Sequence, residues 1–311
     1  MNKQGERPDM AGEIDRRGFL KCMQWAGAGL VWSFAGGVPA SRLIGAPAAK
    51  QEDFAFVQIS DSHIGFNRAA NSDVTGTFQS AVDKINGLAH QPEFTLHTGD
   101  LTHLAKAQEF DTLDQLLQGL RQKQVFFVPG EHDLLGDHGK QYLDRFGKGS
   151  TGRGWHSFDH KGVHFIGLNN SAQLEGLGVI GDQQLAWLKE DVSGLTASTP
   201  IVVFAHIPLW AVYPEWGWAT QDSARALDLL KRFGSVTVLN GHIHQTLQKV
   251  EGNVTFYSAM STAFPQPAPG TAPAPGPMKV PAEQLRQVLG IRDVNFVAGQ
   301  HLLAVTESNL G

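Results

Sequence analysis

The chain has 311 residues, 41% of them apolar, with 25 Lys/Arg against 30 Asp/Glu and thirteen histidines. Residues 1–48 carry six basic and four acidic side chains, which leaves 19 against 26 beyond them, a net charge near −7. That balance excludes a nucleic-acid polymer as the expected partner, though not a small nucleotide. The one cysteine, Cys22, lies within the first 48 residues. Beyond them neither a disulfide nor a thiolate ligand is available, and any metal must be held by His, Asp, Glu or Asn.

The run Asp15-Arg16-Arg17-Gly18-Phe19-Leu20-Lys21 has the form of a twin-arginine export signal, and residues 22–37 continue it as a Gly/Ala-rich apolar stretch. This stretch is short and weakly hydrophobic for a transmembrane anchor, so residues 1–48 read as a cleaved signal peptide. Val38-Pro39-Ala40 and Ala46-Pro47-Ala48 are the cleavage candidates. Cys22 is not in a lipobox-like context. The expectation is a periplasmic or secreted bacterial protein with no stable membrane anchor, and with the twin-arginine export machinery as a partner. That route carries folded proteins, which suits a metal loaded inside the cell.

Residues 49–311 are enough for one large domain. In chain order, the apolar runs predict strands at 54–60, 94–97, 125–128, 163–168, 201–205 and 236–239. Helical spacing marks 73–89, 105–120, 182–191 (Asp182 as its cap) and 222–233. Later strands are expected at 246–250, 254–258, 294–297 and 302–306, after a short helix at 282–289. The order gives an α/β fold of two packed sheets with helices outside. Residues 264–281 hold seven prolines and two glycines. They form a loop, either a plain surface linker or a lid beside the site.

Five short segments carry metal-ligand residues, each after a strand-like run: Asp61-Ser62-His63, Gly99-Asp100, Gly130-Glu131-His132-Asp133, Ala205-His206 and Gly241-His242-Ile243-His244. Residues i and i+2 on extended backbone point the same way, so Asp61 with His63 can reach one ion, and His242 with His244 can reach a pair. Gly99 permits close backbone approach, and a carboxylate at Asp100 can bridge two ions. Hard oxygen and imidazole donors in this number suit two adjacent cations, an arrangement that hydrolyses phosphate esters. His97 and His103 flank Asp100 and either support the site or fill core. Trp210, Tyr213, Trp216 and Trp218 form a loop that either covers core or stacks a base or sugar.

As a set these motifs resemble the calcineurin-like metallophosphoesterases, whose pattern is D-x-H, G-D, G-N-H-(D/E), H and G-H-x-H. The resemblance spans residues 54–260. Ile59-Ser60-Asp61-Ser62-His63, Gly99-Asp100-Leu101-Thr102 and Gly241-His242-Ile243-His244-Gln245 look most like its cyclic-nucleotide phosphodiesterase branch. It implies a four-layer α/β/β/α sandwich and a dimetal hydrolase of small phosphate mono- or diesters. Asp61, His63 and His244 would hold one metal, Asp100 would bridge, and Glu131, His206 and His242 would hold the other. A hydroxide between the metals would be the nucleophile. His132 would stabilise the phosphoryl group and protonate the leaving group, with Asp133 orienting its imidazole. Glu131 departs from the pattern, which has Asn there. The third carboxylate favours a trivalent ion, so iron is expected in at least one site, with Fe, Mn or Zn in the other. It also raises an alternative, an iron-containing redox or oxygen-using enzyme on the same scaffold. A non-catalytic metal-binding protein is a third reading, and His132 and Asp133 argue against it because neither is needed merely to hold metal.

Overall fold

The structure, a computed structural model, describes residues 29–35, 38–44, 51–172, 176–300 and 303–311. The chain divides into two units, Met1–Ala48 and Ala49–Gly311. In the first, β1 (Gly29–Ala35) pairs antiparallel with β2 (Val38–Ile44), and the candidate cleavage site Val38-Pro39-Ala40 lies in β2. The twin-arginine run and Ala46-Pro47-Ala48 lie outside the described residues. Among the described residues no helix is long and apolar enough to cross a membrane.

The second unit is built on two sheets. One has five strands in the order β13 (Ala304–Asn309), β12 (Gly290–Phe296), β3 (Phe54–Ile59), β4 (Phe94–His97), β5 (Val125–Phe127). The other has six, in the order β10 (Leu247–Glu251), β11 (Val254–Ser258), β9 (Val236–Asn240), β8 (Ile201–Ala205), β7 (Val163–Leu168), β6 (His156–His160). The inner strands β3, β4, β7, β8 and β9 are buried at every position, because parallel strands in such folds are covered on both faces. That is why they read in the sequence as unbroken apolar runs.

Between the sheets lies a phenylalanine-rich core of Phe54, Phe56, Phe94, Phe165, Phe204 and Phe296. Phe56 meets Phe165 edge-on across it, with ring centres 5.4 Å apart. On the far side of the five-stranded sheet pack α1 (Val74–Asn86) and α2 (Ala107–Leu117), through Phe78, Val82, Phe110 and Leu113. Beside them is α3 (Lys140–Phe146), which buries Tyr142. On the far side of the six-stranded sheet pack α4 (Asp182–Asp191) and α5 (Ser223–Leu230), through Leu185, Leu188, Ala226 and Leu230. The layers are therefore α/β/β/α.

Several local expectations shift. Asp182 is the first residue of α4 and its N-cap is Gly181; the N–H groups of Ile180 and Gly181 are instead held by the Asp222 carboxylate at 2.9 Å each. The helix expected to run to residue 233 stops at Leu230. The 282–289 helix is a 3₁₀ turn (Ala282–Gln284) followed by one turn of helix, α6 (Leu285–Val288), and β12 starts earlier than its apolar run, at Gly290. Neither α3 nor β6 was expected.

Register positions the site. Ile59 pairs with His97 and His97 with Phe127, so β3, β4 and β5 end side by side; Ala205 pairs with Asn240, so β8 and β9 end side by side. Gln58 Nε2 donates to the Asn240 carbonyl at 3.3 Å and joins the two sheets at that end. Every candidate ligand segment begins within four residues of one of these C-terminal strand ends.

Candidate metal centre

The loops that carry the ligands are sharply bent. Asp61, His63, Asp100, His242 and His244 all have positive φ, at 53°, 40°, 51°, 70° and 53°. This corrects the expectation that Asp61/His63 and His242/His244 project from extended backbone. These five sit in the left-handed region, which costs about 1–2 kcal/mol for a side-chain-bearing residue. The strain is held by neighbouring loops: Asp61 N–H donates to Gly99 O at 3.0 Å, His63 N–H to Asp100 O at 2.9 Å, and Gly241 N–H to His206 O at 3.0 Å. Such clustering of strained residues is a mark of a functional site. Two glycines let the loops close. A Cβ on Gly99 would lie 2.5 Å from His206 Nδ1, and one on Gly241 would lie 2.4 Å from Asp61 Oδ2.

All seven expected ligands converge. The donor atoms of Asp61, His63 and His244 lie within 4.8 Å of one another, and so do those of Glu131, His206 and His242. Asp100 stands between the two groups, its Oδ2 3.5 Å from His63 Nε2 and 3.4 Å from His206 Nε2. In the first group His244 Nε2 is 3.2 Å from Asp61 Oδ1 and 3.3 Å from His63 Nε2. In the second, Glu131 divides its oxygens, Oε1 at 3.1 Å from His242 Nδ1 and Oε2 at 3.0 Å from His206 Nε2. The two carboxylates shared among loops are aimed by backbone: His242 N–H donates to Asp61 and His132 N–H to Asp100.

These residues fit a metal pair. His206 Nδ1 donates to the Thr98 carbonyl at 2.8 Å, and His244 Nδ1 donates to that of Phe264. Both bonds leave the Nε2 lone pair facing inward, toward carboxylate oxygens and other imidazole nitrogens. Lone pairs so opposed need a positive charge between them. Glu131 Oε2 is buried without a hydrogen-bond partner among the described residues, despite its 3.0 Å approach to His206. The electrostatics agree. Burial would lower His206, but Asp100 and Glu131 hold it well above the usual imidazole value, so these carboxylates call for a positive charge at its Nε2, a proton or a cation. Burial would raise Asp61 and Glu131, but His244 pulls Asp61 down to about 2, and His242 with His206 holds Glu131 well below the carboxylate range. His63 is held well below its usual value by burial and then His132, which leaves it the neutral imidazole a metal takes.

His132 and Asp133 part company. His132 lines the cavity over the ligands; its Nδ1 donates to the His103 carbonyl at 2.7 Å, and its ring stacks on that of His103 at 4.9 Å. Asp133 does not orient that imidazole, contrary to expectation. Its buried carboxylate accepts from the N–H groups of Leu101 (3.0 Å), Thr102 (2.8 Å) and Gly130 (3.0 Å) and from the Thr102 hydroxyl (3.0 Å). It therefore clasps the Asp100 loop to the Glu131 loop. Burial and the Asp100 charge push Asp133 up to about 7, against those donors. His103 is held down, to about 4, by burial, His132 and Arg68. His97 is fully buried; its Nε2 bonds the Ser62 hydroxyl, between Asp61 and His63, at 2.9 Å, so it braces the first ligand loop without being a ligand.

Above the ligands is a cavity of about 160 Å³. The proline-rich loop forms part of its wall, through Phe264, Gln266, Gly276 and Pro277. It is tied to the ligands directly: Gln266 Nε2 donates to the His242 carbonyl at 2.9 Å, while Gln266 Oε1 accepts from Gly276 N–H at 3.0 Å. None of the four aromatics at 210–218 lines the cavity, and Trp210 and Trp218 are buried in packing. Three wall residues, Phe66, Arg68 and Gln266, went unmarked by any sequence motif. Only their proximity in the chain to His63 or to the 264–281 loop could have drawn attention to them.

A pair of ligand clusters sharing one carboxylate at the C-terminal ends of two packed sheets defines a dimetal enzyme class. The chain matches the Calcineurin-like phosphoesterase family over residues 54–246, more than half its length, and it belongs to that family. It is 26% identical to a 3′,5′-cyclic-nucleotide phosphodiesterase of Nostoc sp. over 213 residues, 67% of this chain and 77% of that protein. It is 25% identical to a glycerophosphodiester phosphodiesterase of Enterobacter lignolyticus over 199 residues, 60% of this chain and 69% of that protein. In fold it is similar to a dimetal phosphatase from Danio rerio, with a TM-score of 0.60 at 13% identity, covering 83% of this chain and 96% of the other. The chain is a metal-dependent phosphoesterase.

Proposed function

We propose that this enzyme hydrolyses small phosphate mono- or diesters with a metal pair, one ion held by Asp61, His63 and His244 and the other by Glu131, His206 and His242, with Asp100 shared. The observation that carries the reading is the position of Asp100, within 3.5 Å of a histidine from each cluster. When bound, the ions supply Lewis acidity toward a phosphoryl oxygen and lower the pKa of water from 15.7 toward about 7. The protein's own part is to place and neutralise the ester. With Nδ1 tied to the His103 carbonyl, His132 keeps Nε2 for a phosphoryl oxygen or the leaving alkoxide. Burial would lower His132, but Asp100 and Glu131 raise it above its ordinary 6.5, which favours the protonated form an acid needs.

Three carboxylate ligands support iron in at least one site, with Fe, Mn or Zn in the other. They also support the alternative of an iron-containing oxygen-using enzyme. Both are tested by loading the protein with iron, manganese or zinc and assaying p-nitrophenyl phosphate and bis-p-nitrophenyl phosphate beside oxygen uptake. Ester turnover that falls together with metal content in Asp100→Asn supports hydrolysis. Oxygen uptake with no ester turnover under any metal overturns it. We further propose twin-arginine export to the periplasm or beyond; cytoplasmic retention of an R16K/R17K variant is the expected result, and unaltered export would exclude that route.

A further inference from the structure

The floor of the cavity is made by the ligand residues and His132, while Phe66, Arg68, Phe264, Gln266, Gly276 and Pro277 stand as its wall. Among the wall residues only Arg68 carries a formal charge. Arg121, Arg145, Arg153, Arg225, Arg232 and Arg292 each donate to an acceptor of the protein. The exposed guanidiniums of Arg68 and Arg286 have no such acceptor among the described residues, and of the two only Arg68 lines the cavity.

Its backbone is fixed nonetheless. Arg68 and Asn71 exchange N–H···O bonds at 3.3 and 3.0 Å. The buried Asn71 side chain donates to Ala263 O at 2.7 Å and Thr77 Oγ1 at 3.1 Å, and accepts from Asp73 N–H at 2.9 Å. These bonds pin the Arg68 turn to the start of α1 and to the root of the proline-rich loop. A guanidinium on an anchored turn, at the rim of a cavity and without a partner of its own, is prepared for an oxyanion it can bind with two parallel N–H donors.

Resting on the hydrolase reading, we propose that Arg68 receives a second anionic group of the substrate, a carboxylate or further phosphate on the alcohol portion of the ester. The reacting phosphoryl group has its counter-charges on the floor, in the metal pair and His132. Arg68 meets what extends beyond it. The enzyme's preferred substrates are then phosphate esters whose alcohol is itself acidic, over neutral ones of equal size.

The test uses p-nitrophenyl diesters whose second alcohol is phenol, 4-hydroxybenzoate or 4-hydroxyphenyl phosphate, with the metal-loaded full-length protein. The expected kcat/KM is about tenfold or more higher for the two charged esters, from charge-assisted hydrogen bonds. In Arg68→Gln that ratio collapses toward one, chiefly through KM, and Arg68→Lys restores part of it. A ratio near one in the wild type, a ratio unchanged in R68Q, or an equal loss on all three esters would overturn the assignment, the last by placing Arg68 on the reacting phosphate. If the wild type turns over none of them and p-nitrophenyl phosphate neither, the hydrolase reading fails by itself. The Arg68 assignment is then decided by calorimetry with 4-carboxyphenyl phosphate and phenyl phosphate, where the same preference and its loss in R68Q are expected and equal affinities refute it.

Discussion

Glu131 Oε2 stands 3.0 Å from His206 Nε2, a nitrogen whose ring partner Nδ1 is already committed to the Thr98 carbonyl. The same carboxylate places Oε1 3.1 Å from His242 Nδ1. The extra methylene of Glu over the Asn of the family pattern is thus used to reach between two imidazoles. In Glu131→Asn one oxygen is replaced by an N–H₂ group that cannot serve as a ligand. We expect the second cluster to hold metal at least about tenfold more weakly, by analogy with the losses seen when metal-site support is removed. Elemental analysis after dialysis should then find close to one equivalent per chain. Two retained equivalents would mean that Glu131 is dispensable to the pair.

The separation of His132 from Asp133 gives opposite signatures for their variants. His132→Ala removes a group that faces the cavity and makes one loop bond, to the His103 carbonyl, while the Asp133 clasp stays in place, so metal content should persist while turnover falls by roughly 10²–10⁴. Asp133→Asn puts an N–H₂ group against backbone N–H donors that the carboxylate now satisfies. Its expected cost is about 1–3 kcal/mol of stability, visible as a lower thermal midpoint, with kcat per bound metal pair nearly intact. An Asp133→Asn protein of normal stability but low kcat would return Asp133 to the imidazole-orienting role.

Why the sequence revealed the ligands but not this division is a matter of geometry. Ligand chemistry is local: a carboxylate or imidazole after a buried strand keeps its donor atoms whatever the loop does. The inner strands were legible for a related reason, since burial on both faces leaves an unbroken apolar run. Residues 201–205 match β8 at both ends. By contrast β6 is an edge strand, His-Ser-Phe-Asp-His, with one apolar side chain and no periodicity to notice. His132 and Asp133 are neighbours in the chain, but the 3₁₀ turn at Glu131–Leu134 sends them to different partners. Arg68 and Gln266 acquire their positions from bonds such as Asn71 to Ala263 and Gln266 to His242, which span 192 and 24 residues and leave no local pattern.

Gln266 ties the proline-rich loop to the metal loop from both ends of its side-chain amide. In Gln266→Ala the bonds to the His242 carbonyl and the Gly276 N–H disappear together. The cavity wall at Gly276 and Pro277 should loosen, while His244 keeps its own bond to Phe264. The expected result is a rise in KM of up to about thirtyfold for small esters with metal stoichiometry unchanged, from two lost hydrogen bonds at about 1 kcal/mol each. Loss of metal instead would make the loop a structural part of the His242 ligand.

His164 supplies a pH test away from the site. Its ring bridges the six-stranded sheet to α4, with Nδ1 2.8 Å from Asp159 and Nε2 2.9 Å from Asp191. Burial would lower its pKa, but the two carboxylates, Asp191 foremost, raise it above 6.5. Both ring nitrogens face acceptors, so the imidazolium is the form that satisfies them. A folded pKa above the unfolded one means the ring binds its proton more tightly in the folded state. Its contribution is therefore complete below about pH 6.5, the ordinary histidine value. It is lost as pH rises through the raised folded value. In His164→Gln one of the two charge-assisted bonds goes and the other weakens. The thermal midpoint should fall by a few degrees at pH 5.5–6, on the order of 1–2 kcal/mol for a domain of this size. The gap between wild type and variant should then narrow steadily toward pH 9. A gap that is flat across that range, or that widens with pH, would show that His164 acts as a neutral ring.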